Sequence, residues 1–136
     1  MPLHMLQHYT ICPVDLEATK DFYVNALGLE VGYRPPLSFP GYWLWSAGAP
    51  TVHLIGPRAA DEGKPARKTG PTGQLDHIAF GCSDLPGVRA RLQAAGVEFR
   101  EQLLPRDGNT QIFCYDPDGV GVELNFPPHE SPQKAA

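Results

Sequence analysis

From Leu6 to Ile11 the chain alternates. Leu6, His8 and Thr10 share one side, and Tyr9 and Ile11 the other. A period of two predicts a strand. Beyond Asp15, a good N-cap residue, the apolar positions Leu16, Phe22, Tyr23, Ala26 and Leu27 suit one face of a helix that ends at Gly28. A short strand follows at Leu29–Tyr33, and two more strands form a hairpin. The second half reads the same way. A strand lies at Leu75–Phe80, and Asp84 caps a helix whose face carries Leu85, Val88, Leu92 and Ala95. Pro86 sits in the helix's first turn, where it is tolerated, and Gly96 ends it. A strand at Val97–Gln102 and a second hairpin complete the set.

This is an internal repeat. Leu6–Ile11 aligns with Leu75–Phe80, so that His8 matches His77, and Asp15-Leu16 matches Asp84-Leu85 at the same spacing. Ala26–Val31 then matches Ala94–Phe99, and Thr51–Ile55 matches Gly121–Asn125, each within one residue of that spacing. The chain is expected to be α+β, with two βαβββ modules at 5–55 and 75–126 forming a single domain. The polar, Gly- and Pro-rich segment 56–74 reads as the loop joining them, and 127–136 as a polar tail. The cluster Lys64, Arg67 and Lys68 in that loop reads first as solvated charge, and second as a lid over a ligand.

The second hairpin turns at Asp116-Pro117-Asp118-Gly119. A type I turn followed by a left-handed glycine makes a three-residue loop, which sets Phe113 opposite Glu123. Phe113, Tyr115, Gly121, Glu123 and Asn125 then share one face, and Val120, Val122, Leu124 and Phe126 the other. The second face is apolar and should meet the helix. By the repeat, Trp43 and Trp45 share a face with His53, while Val52 and Leu54 point toward the helix.

The two polar faces thus hold His8, His53, His77 and Glu123, at repeat-equivalent positions. A lone histidine on a strand is most often an ordinary core or surface residue. Two equivalent positions filled by His/His, and two by His/Glu, point instead to metal ligation. A carboxylate facing a cavity also needs a charge or a metal to offset its desolvation. His53 reads either as a ligand or as a base beside the metal. His4 and His129 fall outside the pattern and should be exposed. Trp43, Trp45, Phe113 and Tyr115 either wall a pocket for a small ligand, with Asn125 beside them, or simply fill space. Arg34 begins a stiff excursion, Arg34–Gly41. It reads first as a surface residue, and second as a rim group meeting an anion.

Composition narrows the functions. The 136 residues carry 11 Lys and Arg against 15 Asp and Glu, a net charge of −4, with a pI near 5.6. Nucleic acid and anionic membrane surfaces are therefore poor partners. No apolar run approaches the roughly 20 residues that span a bilayer. Three cysteines without a CxxC pair, and a start (MPLHMLQHYT) unlike a signal peptide, lead to the expectation of a cytoplasmic protein.

On the motifs LQHYTI, DFYVNALGLEV, TVHLI, LDHIAF and YDPDGVGVELNF, the chain resembles the vicinal oxygen chelate superfamily. This is the family of glyoxalase I, bleomycin-resistance proteins and extradiol dioxygenases. The resemblance spans Leu6 to Phe126. It implies paired βαβββ modules in a cup-shaped mixed sheet, the glyoxalase-like fold. It also implies one divalent metal (Fe, Mn, Ni or Zn) held by His8, His53, His77 and Glu123. Glu123 and His53 become the catalytic candidates, and Trp43, Trp45, Phe113, Tyr115 and Asn125 the substrate-binding ones. Glyoxalase I has a glutamate where this chain has His53, so a neutral imidazole would have to ligate or act as base. Extradiol enzymes have a tyrosine where this chain has Phe113, which cannot donate a hydrogen bond. The implied function is a lyase, isomerase or dioxygenase acting on a small substrate with neighbouring oxygens. The alternative is a non-catalytic drug-binding protein. A homodimer is expected, with modules paired within a chain or swapped between two.

Overall fold

The computed structural model describes residues 2–130, and the remainder of the expected tail lies outside the described residues. The chain divides into two compact units, Met1–Lys68 and Thr69–Ala136, a boundary inside the polar 56–74 segment.

In the first unit, β1 (Tyr9–Ile11) leads to α1 (Leu16–Asp21), then to β2 (Glu30–Gly32), β3 (Gly41–Ser46) and β4 (Ala49–Ile55). In the second, β5 (His77–Gly81) leads to α2 (Leu85–Ala94), β6 (Arg100–Leu103), β7 (Thr110–Tyr115) and β8 (Gly121–Phe126). The sheets have orders β1-β4-β3-β2 and β5-β8-β7-β6. First and last strands pair in parallel within each unit, and the other pairings are antiparallel.

The register carries the repeat into three dimensions. One row across the first sheet reads Gly32, Trp43, His53, Thr10. The matching row across the second reads Arg100, Phe113, Glu123, Ala79. His8 precedes Thr10 by two residues as His77 precedes Ala79, so the sequence alignment of the halves holds strand by strand.

Local chemistry explains the elements. Asp15 accepts from the Ala18 amide at 3.0 Å, and Asp84 accepts from the Gly87 amide at 3.1 Å. α1 is shorter than the apolar pattern predicts. It widens into a π-helical turn at Phe22–Ala26, within which both Tyr23 and Ala26 are fully buried. Each unit buries one sheet face: Leu44, Val52 and Leu54 in the first, and Ile112, Val122, Leu124 and Phe126 in the second. α2 contributes Leu85 and Leu92. Each such side chain stabilises by roughly 1.5–3 kcal/mol on burial. The opposite faces carry the polar residues. No described helix is long and apolar enough to cross a membrane.

Candidate functional site

β4 and the approach to β1 form the polar centre of the first unit. Trp43 lies directly across from His53 in the register, and the two rings stack with centres 4.0 Å apart. His8, just before β1, stacks on the other side of His53 with centres 3.8 Å apart and planes inclined by 12°. His53 is thus the middle layer of three flat rings. Its Nε2 lies 3.1 Å from the Pro50 carbonyl, which fixes the proton there and leaves the Nδ1 lone pair free. Burial lowers the proton affinity of His53 below the ordinary value, and the charges of His8 and Arg34 lower it further, against the Pro50 bond. His53 is therefore neutral at neutral pH, the form that can ligate a metal or accept a proton. The Nδ1 of His8 lies 2.9 Å from the Gln7 side-chain oxygen, leaving its Nε2 as the free lone pair.

Trp45 sits beyond a register shift between Leu44 and Trp45. Its ring lies over Gly32, where a Cβ would collide with it, and its Nε1 donates to the Tyr33 carbonyl at 3.2 Å. Because Gly32 stands in the row of Trp43 and His53, the glycine makes room for the indole on that face.

In the second unit, β5 and β8 bring His77 and Glu123 together. The His77 Nε2 lies 3.4 Å from the Glu123 carboxylate. The Nδ1 of His77 donates to Asp76 at 2.7 Å, and this bond, with the Glu123 charge, raises its proton affinity above the ordinary value against some desolvation. An outer carboxylate on Nδ1 is the usual way of fixing a ligating imidazole. Glu123 is buried, and its other oxygen accepts from Asn125 at 2.7 Å. Asn125, expected to touch substrate, thus orients the carboxylate. Tyr115 is 70% exposed. A cavity of about 430 Å³ opens here, lined by His77, Arg100, Phe113, Tyr115 and Gly121 among others.

Arg100 escaped the sequence reading. It stands across from Phe113 in the register, with its guanidinium 4.6 Å from the ring centre. Its alignment with Gly32 in the repeat was the available signal. His4 and His129 are exposed, as expected.

The predicted ligands thus form two pairs, His8 with His53 and His77 with Glu123, one per unit. Among the described residues, no group of three or more His, Cys, Asp or Glu is gathered in metal-holding geometry. The donor chemistry nonetheless fits a divalent ion: three imidazoles, each with one ring nitrogen held by a protein oxygen, and one buried carboxylate.

Comparison with known proteins agrees with this architecture. The Glyoxalase/Bleomycin resistance protein/Dioxygenase superfamily matches residues 5–124. An ethylmalonyl-CoA/methylmalonyl-CoA epimerase from Cereibacter sphaeroides is 29% identical over 127 residues, covering 88% of this chain and 95% of that protein. The crystal structure of the fosfomycin resistance protein FosX from Listeria monocytogenes superposes with a TM-score of 0.68 at 23% identity, covering 91% of this chain and 93% of that one. TnmS3, an antibiotic-binding protein from Streptomyces sp. CB03234, superposes with a TM-score of 0.65 at 25% identity, covering 93% and 98% respectively.

Proposed function

Since the chain belongs to the Glyoxalase/Bleomycin resistance protein/Dioxygenase superfamily, we propose that it is a divalent-metal-dependent enzyme acting on a small substrate with two neighbouring oxygens. His8, His53, His77 and Glu123 are the proposed ligands of a divalent ion (Fe, Mn, Ni or Zn). The observation that carries the reading is the His77–Glu123 pair. A buried carboxylate lies 3.4 Å from an imidazole nitrogen, and no Lys or Arg pairs with it among the described residues. Such a carboxylate is costly unless a cation offsets it.

The bound ion would supply Lewis acidity toward the substrate oxygens, or gather substrate with dioxygen. The chain's own residues supply the rest. Asp76 holds the His77 proton on Nδ1 and so presents Nε2. Asn125 fixes the rotamer of Glu123. His53, neutral and with a free Nδ1, serves either as a ligand or as the group that takes a proton from substrate. Trp43 and Phe113 present ring faces to an apolar portion of the substrate, and Trp45 and Tyr115 are proposed as its outer contacts. Among the reaction classes, proton transfer next to a carbonyl is favoured over ring cleavage. The epimerase likeness supports it, and Phe113 has no hydroxyl to donate.

The test is exchange of substrate hydrogen with deuterated water, followed by NMR on a panel of 2-oxo acids and 1,2-dicarbonyls with the manganese- or zinc-loaded protein. Exchange that disappears in Glu123→Ala supports the reading. Saturable binding of panel members with neither exchange nor oxygen consumption would contradict it and favour a non-catalytic binder. A homodimer of a cytoplasmic protein is the proposed working state.

A further inference from the structure

Arg34 occupies an unusual position in the first unit. It follows β2, and its guanidinium lies close to Gly41 at the start of β3. A Cβ placed on Gly41 would stand 3.0 Å from its Nη2 and 3.2 Å from its Cζ. Gly41 and Trp43 alternate onto the same side of β3, and Trp43 is the register partner of His53. The Arg34 charge also lies near enough to His53 to oppose its protonation.

Its partners are few. Nη2 donates to the Phe39 carbonyl at 2.8 Å, and the cation lies 5.2 Å from the Phe39 ring centre. Its Nε is buried and has no acceptor, and among the described residues no carboxylate lies within ion-pair distance. Elsewhere in the chain, Arg58 and Arg89 are each paired with an acid, Asp61 and Glu101. A buried N–H with no partner costs roughly 1–3 kcal/mol, more when the group is charged. A loop brace would need only the Phe39 bond. The absent counter-charge points to an anion that arrives from outside.

We propose that Arg34 is an anion-recognition group beside His53, and that the substrate carries a carboxylate or phosphoryl group which supplies the missing counter-charge of its guanidinium. The inference rests on the reading of the His53 surroundings as the substrate site. It adds to that reading a negatively charged group beyond the two chelating oxygens. A Cβ on Gly41 would run into the Leu54 carbonyl and crowd the cation, so the glycine leaves room for both, and the Arg34–Gly41 excursion carries the cation there. An arginine suits the task because its planar fork matches an oxyanion, whereas a lysine offers a point charge.

The experiment is an NMR titration of the full chain. The Arg34 Nε–H and His53 ring signals are followed while sodium phosphate or sodium acetate is added, with sodium chloride at matched ionic strength as reference. The expected result is a saturable shift with an oxyanion and none with chloride. The His53 response should be at least about tenfold weaker in Arg34→Gln, and several-fold weaker in Arg34→Lys. Tighter phosphate binding assigns a phosphoryl or phosphonate group, and tighter acetate binding a carboxylate. Equal responses to oxyanion and chloride would overturn the proposal. So would an unchanged oxyanion midpoint in the folded variants, and Arg34→Lys decides if Arg34→Gln does not fold. Zinc titration of the wild-type protein separates the two readings. Zinc uptake without an oxyanion response sinks the role of Arg34 alone, and an oxyanion response without zinc uptake sinks the metal site alone.

Discussion

The imidazole of His8 lies flat on that of His53, with ring centres 3.8 Å apart and planes 12° from parallel. Burial is the main penalty on a proton at His53, and the neighbouring His8 adds to it. Proton affinity in the metal-free protein should therefore separate the two units. His53 should titrate below the ordinary value of 6.5 and His77 above it. The unfolded chain holds the His53 proton more tightly than the folded one. Stability linked to His53 is thus present above 6.5 and is lost as pH falls through its lowered folded value. His77 has the opposite sign: its contribution is full below 6.5 and is lost as pH rises through its raised value. Proton NMR of the ring Cε1 signals, with chelator present, checks the order. The reverse order would contradict it.

Asp76 holds the outer nitrogen of His77 at 2.7 Å. Asp76→Asn should bring the His77 titration back toward the ordinary value, because the hydrogen bond to Asp76 is the largest cause of its elevation. Metal affinity should fall by roughly 10–100-fold, the usual cost of removing such an outer partner. Zinc isotherms of the two proteins decide. Equal affinities would detach Asp76 from the site.

The second hairpin was legible in sequence because its turn type sets its register. Asp-Pro-Asp-Gly demands a left-handed glycine, and Gly119 has φ 88°. Phe113 opposite Glu123 and Tyr115 opposite Gly121 follow from it. The helix caps and terminating glycines were legible for the same local reason. The π-helical turn at Phe22–Ala26 was not, since it depends on how Tyr23 and Ala26 pack rather than on apolar spacing. Trp45 reaches its place over Gly32 through a register shift that alternation alone does not foresee. Among the candidate ligands, periodicity and the repeat put each residue on a face. The ring stacking of His8, His53 and Trp43, and the hold of Asn125 on Glu123, are packing outcomes. Arg100 was missed because β6 carries no turn of fixed type to set its pairing with β7.

Leu92 is fully buried on α2, in the core of the second unit. Leu92→Ala should lower unfolding free energy by about 2–5 kcal/mol, as lost transfer energy and a cavity add. Urea unfolding measures this. A loss under about 1 kcal/mol would mean that α2 is not packed as described.

Cys114 is buried and its thiol is pushed up to about 11, first by burial and then by the Asp116 charge. Since thiolate is the reactive form, Cys114 should be the slowest of the three cysteines to react with iodoacetamide at pH 8 in the folded protein. Peptide mass spectrometry of a labelling time course reads the order. Early labelling of Cys114 would contradict its burial.

His8, His53, His77 and Glu123 are proposed above as ligands of a divalent ion. Elemental mass spectrometry of protein purified without chelator or nickel resin, followed by zinc titration, tests it most directly. About one equivalent of a divalent transition metal per chain is expected, bound or taken up, and lost in Glu123→Ala. No metal as purified and none on titration would contradict it, as would unchanged uptake in Glu123→Ala.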